Sequence, residues 1–292
     1  MDVNVAGFRI SVTARGRADG ERLSHYMASV KGYLVAGAHT PDFTVIIDDD
    51  LAPPHAHELS ETSATIRYRS TPDELCFCDE YSWGRISWGN RILHTRWNGK
   101  SEFERYTSAE MKLVLSFLVI ERGGILLHGS AVRRHGYAVA FIGHSGSGKT
   151  TAAKLMAPEW QILNDECNIV LPALDCAGYR IHATPFTAIS KLPSLAQGSA
   201  HLGAVFTLAR GRDVQIRPLS AQRSILSVVG STVAIPSTDA VGERVLSNAS
   251  EVVRSIPIEE LSFRRDSAIS EAIEDYLELG WQKCQYTRLS KV

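Results

Sequence analysis

Over much of the first hundred positions apolar residues alternate with polar ones at the period of a half-buried strand. Phe8-Arg-Ile-Ser-Val12 shows this best, and residues 43–47, 64–68, 75–78 and 84–88 are further short runs of β-favouring residues. Gly89-Asn90 then predicts a hairpin turn into a strand over residues 91–97. One stretch breaks the alternation: Leu23, Met27 and Val30 recur at helical spacing, which predicts a short helix from Gly20 to Val30.

The pattern changes after residue 105. Thr107-Ser-Ala-Glu110 has the form of a capping box, and Met111, Val114, Leu115 and Leu118 share one helical face until Gly123-Gly124 ends the run. That helix is expected to link two halves of the chain. Strands follow at 125–128 and 131–134, and the turn His135-Gly136 leads into Tyr137-Ala-Val-Ala-Phe-Ile142. A short helix from Thr150 ends near Met156, because Pro158 cannot continue it, and a new apolar run starts at Trp160. Residues 167–171 and 179–182 predict a hairpin, and residues 201–208 and 214–217 predict another across Arg210-Gly-Arg-Asp213. Helices are predicted over 221–229, 240–253 and 268–279. The reading is therefore a mixed α/β chain: a β-rich domain over residues 1–105, suited to recognition or assembly, and an α/β domain over 106–292.

Composition narrows the function. The 292 residues are 44% apolar, enough for a real core, while 22% charged residues and a net charge of −1 leave no global field. Neither nucleic acid nor a membrane surface is an expected partner. No apolar run is long enough to cross a bilayer, and the start of the chain has neither a basic region nor an apolar segment, so no secretory signal is expected. Cys76 and Cys78 are one residue apart, which suits a strand better than a zinc knuckle, and all five cysteines are read as reduced, in keeping with a cytoplasmic protein. His55, His57 and His94 with Asp48-Asp-Asp50 are read as a solvated acidic loop rather than a metal site.

The chemistry concentrates after the strand that ends at Ile142. Gly143, His144, Ser145, Gly146, Ser147, Gly148, Lys149, Thr150 and Thr151 complete the phosphate-binding loop G-x-x-x-x-G-K-[ST], or Walker A motif, between a predicted strand and a predicted helix. Its glycines let successive N–H groups turn inward on phosphate oxygens, and the helix start adds positive potential. Lys149 supplies a point charge to the outer phosphates, and the hydroxyl of Thr150 suits Mg²⁺. The apolar run from Trp160 ends in Asn164-Asp165-Glu166, only sixteen residues beyond Lys149. A strand beside the loop would bring Asp165 to the terminal phosphate, where a carboxylate either binds Mg²⁺ or takes a proton from an attacking hydroxyl. The competing reading makes Asp165 and Glu166 the start of a surface hairpin. Thr184-Pro-Phe-Thr-Ala-Ile-Ser-Lys191 reads as a long polar loop suited to acceptor binding, with Lys191 read as a solvated lysine.

Taken together, Leu127-His128-Gly129-Ser130-Ala131-Val132, the phosphate loop through Thr151, and Leu163-Asn-Asp-Glu166 resemble the catalytic domain of HPr kinase/phosphorylase in order and spacing. The resemblance extends to related bacterial kinases, including those of lasso-peptide precursors, and covers about residues 110–280. It implies a P-loop kinase core of the HPr kinase and phosphoenolpyruvate carboxykinase type. The carboxykinase's further metal ligands are missing, so a lyase is not expected.

On this resemblance Asp165 is the general base, Lys149 and His128 flank the phosphates, and Thr150, Asp165 and Glu166 form the metal shell, with ATP (or another nucleoside triphosphate) and Mg²⁺ as cofactors. Glu166 stands where the family has a second aspartate, and residues 184–205 lack the family's glycine-rich signature, which leaves HPr as substrate and phosphorolysis in doubt. The expected function is γ-phosphate transfer to a hydroxyl, serine or threonine of a protein or peptide. A small-molecule hydroxyl acceptor, or a nucleotide-binding regulator with little transferase activity, is the alternative. A transport-type ATPase is set aside for want of an LSGGQ-like element, and the nucleotide base and the oligomeric state, a homo-oligomer included, are left open.

Overall fold

A computed structural model describes residues 1–16, 23–24, 26–28, 30–36, 40–63, 66–100, 102–157, 159–175, 177–186, 196–234, 239–265 and 269–278. The chain is a strand-rich mixed α/β protein that divides into two compact units, residues 1–122 with 233–245 and residues 123–232 with 246–292. Among the described residues no helix is long and apolar enough to cross a membrane.

The first unit is built on a nine-stranded mixed sheet. Its strands are β1 (Asp2–Val5), β2 (Phe8–Arg15), β3 (Leu34–Val35), β4 (Phe43–Asp48), β5 (Glu61–Ser63), β6 (Ile66–Ser70), β7 (Glu74–Cys78), β8 (Ser82–Ser87) and β9 (Ile92–Trp97), in the order β3-β1-β2-β4-β9-β8-β7-β6-β5. β4 lies parallel to both β2 and β9, and the run from β5 to β9 is an antiparallel meander. Alternation sets the inner face: Phe43, Val45 and Ile47 are buried, while Thr44, Ile46 and Asp48 are only partly covered. The turn at Gly89-Asn90 joins β8 to β9 as predicted. Leu23, Ser24, Tyr26, Met27 and Ala28 are helical, whereas residues 20–22, 25 and 29 of the expected helix lie outside the described residues.

Helix α1 (Phe103–Glu121) packs on the inner face, with Phe117 stacked on Trp88 at 4.6 Å and edge-on to Phe43 at 6.1 Å. It starts a turn earlier than the capping box at Thr107 predicts. Thr107 and Glu110 are buried in its interior, and Glu110 accepts hydrogen bonds from Ser82 Oγ at 2.8 Å and Thr95 Oγ1 at 3.0 Å. The buried rings of Phe103 and Tyr106 carry the apolar face N-terminal to the box, so burial overrides the local capping pattern. His94 on β9 pairs with Asp48 at 2.7 Å, and His55 stacks on His57; among the described residues no cluster of three or more His, Cys, Asp or Glu is arranged to hold a metal.

In the second unit the strands are β10 (Ile125–His128), β11 (Ser130–Arg134), β12 (Tyr137–Ile142), β13 (Gln161–Asn164), β14 (Cys167–Pro172), β15 (Tyr179–His182), β16 (Ser199–Arg210), β17 (Gln215–Pro218) and β18 (Ile258–Phe263). The helices are α2 (Lys149–Met156), α3 (Ala221–Gly230), α4 (Asp239–Ser255, whose first residues belong to the first unit) and α5 (residues 269–278). The sheet runs β10-β14-β15-β16-β12-β11-β13, with β18 beside the outer part of β16 and β17 beside β18. β12, β16 and β18 are parallel. Both faces of β12 are apolar, as a covered parallel strand requires. Ala138, Ala140 and Ile142 join one core cluster, and Val139 and Phe141 join the other with α2 and α5.

The expected hairpin of 201–208 with 214–217 does not form. β18 lies between the two strands, parallel to β16 and antiparallel to β17. Its buried positions, Ile258 and Leu261, are three apart rather than two, so the strand carries no alternation to reveal it.

A stability prediction follows from Glu110. Burial raises its carboxyl from 4.5 to about 8, against the pull of the two hydroxyl donors. The folded unit then keeps a proton that the unfolded chain has released, so this contribution is complete below about pH 4.5 and is lost as pH rises through about 8. Compared with Glu110→Gln, the wild type is expected to lose unfolding free energy between pH 5 and 8, by at most about 1.4 kcal/mol per pH unit. Parallel urea titrations of the two proteins across that range check it; identical pH dependence would rule the assignment out.

Candidate functional site

The site grows out of a crossing of two bent ribbons. β10 passes into β11 through Gly129 alone, and β13 passes into β14 through Asp165 and Glu166. β10 pairs with β14 and β11 with β13, so the two chains run antiparallel through both halves and bend together at their midpoint. Through β14 one half joins β15, and through β11 the other joins β12; β15 and β12 both pair with β16, which closes a ring of strands.

Backbone and amide groups lock the bend. Gly129 N–H donates to Glu166 O at 3.0 Å, and Asn168 Nδ2 donates to Gly129 O at 2.8 Å. The fully buried Asn164 accepts from Glu166 N–H at 2.7 Å and Cys167 N–H at 2.9 Å, while its Nδ2 donates to Thr184 O and Phe186 O. Gly129 has no room for a side chain: a Cβ there would lie 2.5 Å from Phe141 O and 3.1 Å from Ile142 Cγ2.

Ile142 is also where β12 delivers the phosphate loop. Gly143, Gly146 and Gly148 have φ of 141°, 77° and 103°, which side chains rarely adopt, and Gly148 caps α2. The loop folds on itself: Ser147 N–H donates to His144 O, and Lys149 Nζ donates to Gly143 O at 2.8 Å and His144 O at 3.1 Å. Lys149 is buried, and that burial lowers its pKa.

Loop and crossing open onto one cavity of about 700 Å³. Residues 145–151 line it, together with His128, Asp165 and Glu166. Of the sequence-predicted site residues, only Gly143 and His144 are not in the lining; both supply the carbonyls that hold Lys149. Asp165 is only 4% exposed and faces the cavity, and the hairpin of β14 and β15 begins just beyond it. His128 is exposed, not buried in the core. Thr150, Asp165 and Glu166 present a hydroxyl and two carboxylates to the same cavity, hard oxygen donors that fit Mg²⁺. Of the loop expected over 184–193, Thr184 is buried beside Asn164, and residues 187–195, Lys191 included, lie outside the described residues.

Ala209, Arg210 and Gly211 at the end of β16, with Phe263, Arg264 and Arg265 at the end of β18, complete the lining. Sequence reasoning missed this wall. Its one local signal, Arg264-Arg265, looks like ordinary solvated charge until the parallel register places Phe263 beside Arg210.

The family model of the SynChlorMet cassette protein ScmC matches residues 105–278. The match takes in more than half of the chain, which therefore belongs to the ScmC family. None of the curated proteins compared with the chain matches it.

The crossing predicts a contrast between two glycines. Gly129→Ala forces a shift of β12 or of the bend and is expected to cost about 1–3 kcal/mol of stability. Gly242→Ala meets nothing within 4 Å on helix α4 and is expected to add about 0.4–1 kcal/mol. Chemical denaturation of both variants against wild type checks the pair; a neutral Gly129→Ala would contradict the packing at the crossing.

Proposed function

We propose that this ScmC-family chain is a phosphotransferase with a P-loop kinase core of the HPr kinase type, moving the γ-phosphate of ATP to a hydroxyl, that of a serine or threonine in a protein or peptide. The family's name specifies no reaction, so the reading rests on one observation: a complete phosphate loop and a buried aspartate with an adjacent glutamate line the same cavity.

The roles follow from the chemistry of these groups. The N–H groups of the loop and the start of α2 face a triphosphate, and Lys149 exchanges its two carbonyl partners for phosphate oxygens, which make stronger charge-assisted bonds. Thr150 and Glu166 would hold Mg²⁺, which supplies positive charge to the phosphates when bound and leaves the proton to Asp165. Asp165 accepts the proton of the attacking hydroxyl as the oxygen–phosphorus bond forms and the bond to the β-phosphate breaks. His128 lines the same cavity and would flank the reacting phosphate. Alignment of one hydroxyl with the terminal phosphate supplies much of the rate, so few specialised side chains are needed.

A kinase and a nucleotide-binding regulator differ at Asp165. Asp165→Asn is expected to cut phosphoryl transfer by about 10²–10⁴-fold with nucleotide affinity largely kept, whereas Lys149→Ala is expected to weaken both. Transfer of label from γ-labelled ATP into host lysate measures the first quantity, and calorimetric titration with Mg-ATP measures the second. Undiminished transfer by Asp165→Asn would remove it from the base role; absence of transfer by the wild type, with tight ATP binding, would favour the regulator.

A further inference from the structure

We infer that the ring of Phe263 is the platform on which the base of a nucleoside triphosphate stacks, so that the nucleotide lies in one direction across the cavity. The inference rests on the nucleotide-binding part of the proposed function and adds which wall receives which end of the ligand.

The first ground is the chemistry of the lining. Among the described residues, the cavity wall apart from its glycines consists of hydroxyl, charged and imidazole side chains, with Ala209 and Phe263 as its hydrocarbon side chains. A ligand with a flat apolar portion loses least by placing it there. Phe263 is half-buried and packs against the core cluster formed with α2 and α5, so little side-chain freedom is left to lose on stacking.

Topology supplies the second ground. Along the sheet, β18 and β16 lie on one side of β12, and β11 and β13 lie on the other. β12 delivers the phosphate loop; β13 delivers Asp165 and Glu166; β18 delivers Phe263. The loop is thus central, with the acidic pair on one flank and the ring on the opposite flank. The ring also reaches the phosphate end of the site, since Phe263 Cζ lies 3.5 Å from where a Cβ on Gly148 would stand. Arg210, Arg264 and Arg265 line the same flank and offset charge on the phosphate next to the ribose. A base on Phe263 points the terminal phosphate toward Asp165, the direction that transfer requires. A cavity of about 700 Å³ also exceeds what a bare triphosphate fills.

The test compares two ligands that share the phosphates and differ in the base. Titration calorimetry with Mg-ATP and with Mg-tripolyphosphate is run on wild type, Phe263→Ala and Phe263→Tyr. The wild type is expected to prefer ATP about tenfold or more, in line with the worth of stacking one base on an aromatic ring. Phe263→Ala is expected to lose that preference while holding tripolyphosphate as well as before, which also shows that the variant is folded. Phe263→Tyr is expected to keep it. An unchanged preference in Phe263→Ala would overturn the inference while leaving the phosphate site intact. Failure of both ligands to bind the wild type would overturn the nucleotide reading itself, and the inference with it.

Discussion

The missing side chain at Gly129 is the constraint on which the second unit depends. Two ribbons bend at one place, and the bend lies against the end of β12, where Phe141 O leaves 2.5 Å to a Cβ position. Any larger residue would push the crossing off the strand that carries the phosphate loop. Because the contact is with backbone, no rotamer change relieves it. The hydrogen bonds of Gly129, Asn164 and Asn168 then fix the bend, and each buried amide among them would cost about 1–3 kcal/mol if left without a partner. His128, Asp165 and Glu166 take their places from this bend.

That arrangement brings opposite charges to one cavity from different strands. Lys149 is already bonded to two loop carbonyls, and Asp165 and Glu166 enter on a different strand. The basic wall comes from β16 and β18, two strands removed from the phosphate loop at most and on the side away from β13. Sheet order alone separates the cationic wall of the cavity from its carboxylates.

Much of this was legible in the sequence, and the parts that were not share a physical cause. The alternation in β2 and β4, the positive-φ turn at His135-Gly136, and the strand, loop and helix around Lys149 are local patterns, and local patterns survive folding. The early acidic pair was visible as residue types at a spacing. The start of α1 was misplaced because a good capping pattern at Thr107 lies inside a longer apolar face that includes Phe103 and Tyr106. β1 has no place among the predicted strands, yet Val3 and Val5 are fully buried against β2. β18 was missed because Ile258 and Leu261 are spaced as on a helix, and the basic wall depends on β18 finding β16 from some fifty residues away. Partner choice at that distance is decided by the whole core, which no window of sequence contains.

Two buried carboxyls show why burial alone does not mark a functional acid. Glu110 is 3% exposed and Asp165 is 4% exposed, so solvent access does not separate them. Glu110 sits in the middle of α1, where Ser82 and Thr95 supply hydroxyls and burial holds its proton to high pH. Such an acid serves packing, with one oxygen satisfied and no substrate-sized opening beside a phosphate loop. Asp165 sits where one strand hands over to the next, with Ser130 Oγ donating to its backbone carbonyl at 3.4 Å and its side chain at a cavity wall. Strand ends can present a side chain to a large cavity because the backbone there is held by neighbours on only part of its length, whereas Glu110 opens only onto a cavity of about 70 Å³. Position in the topology, more than depth below the surface, separates the carboxylate that lines a cavity from the one held within the helix packing.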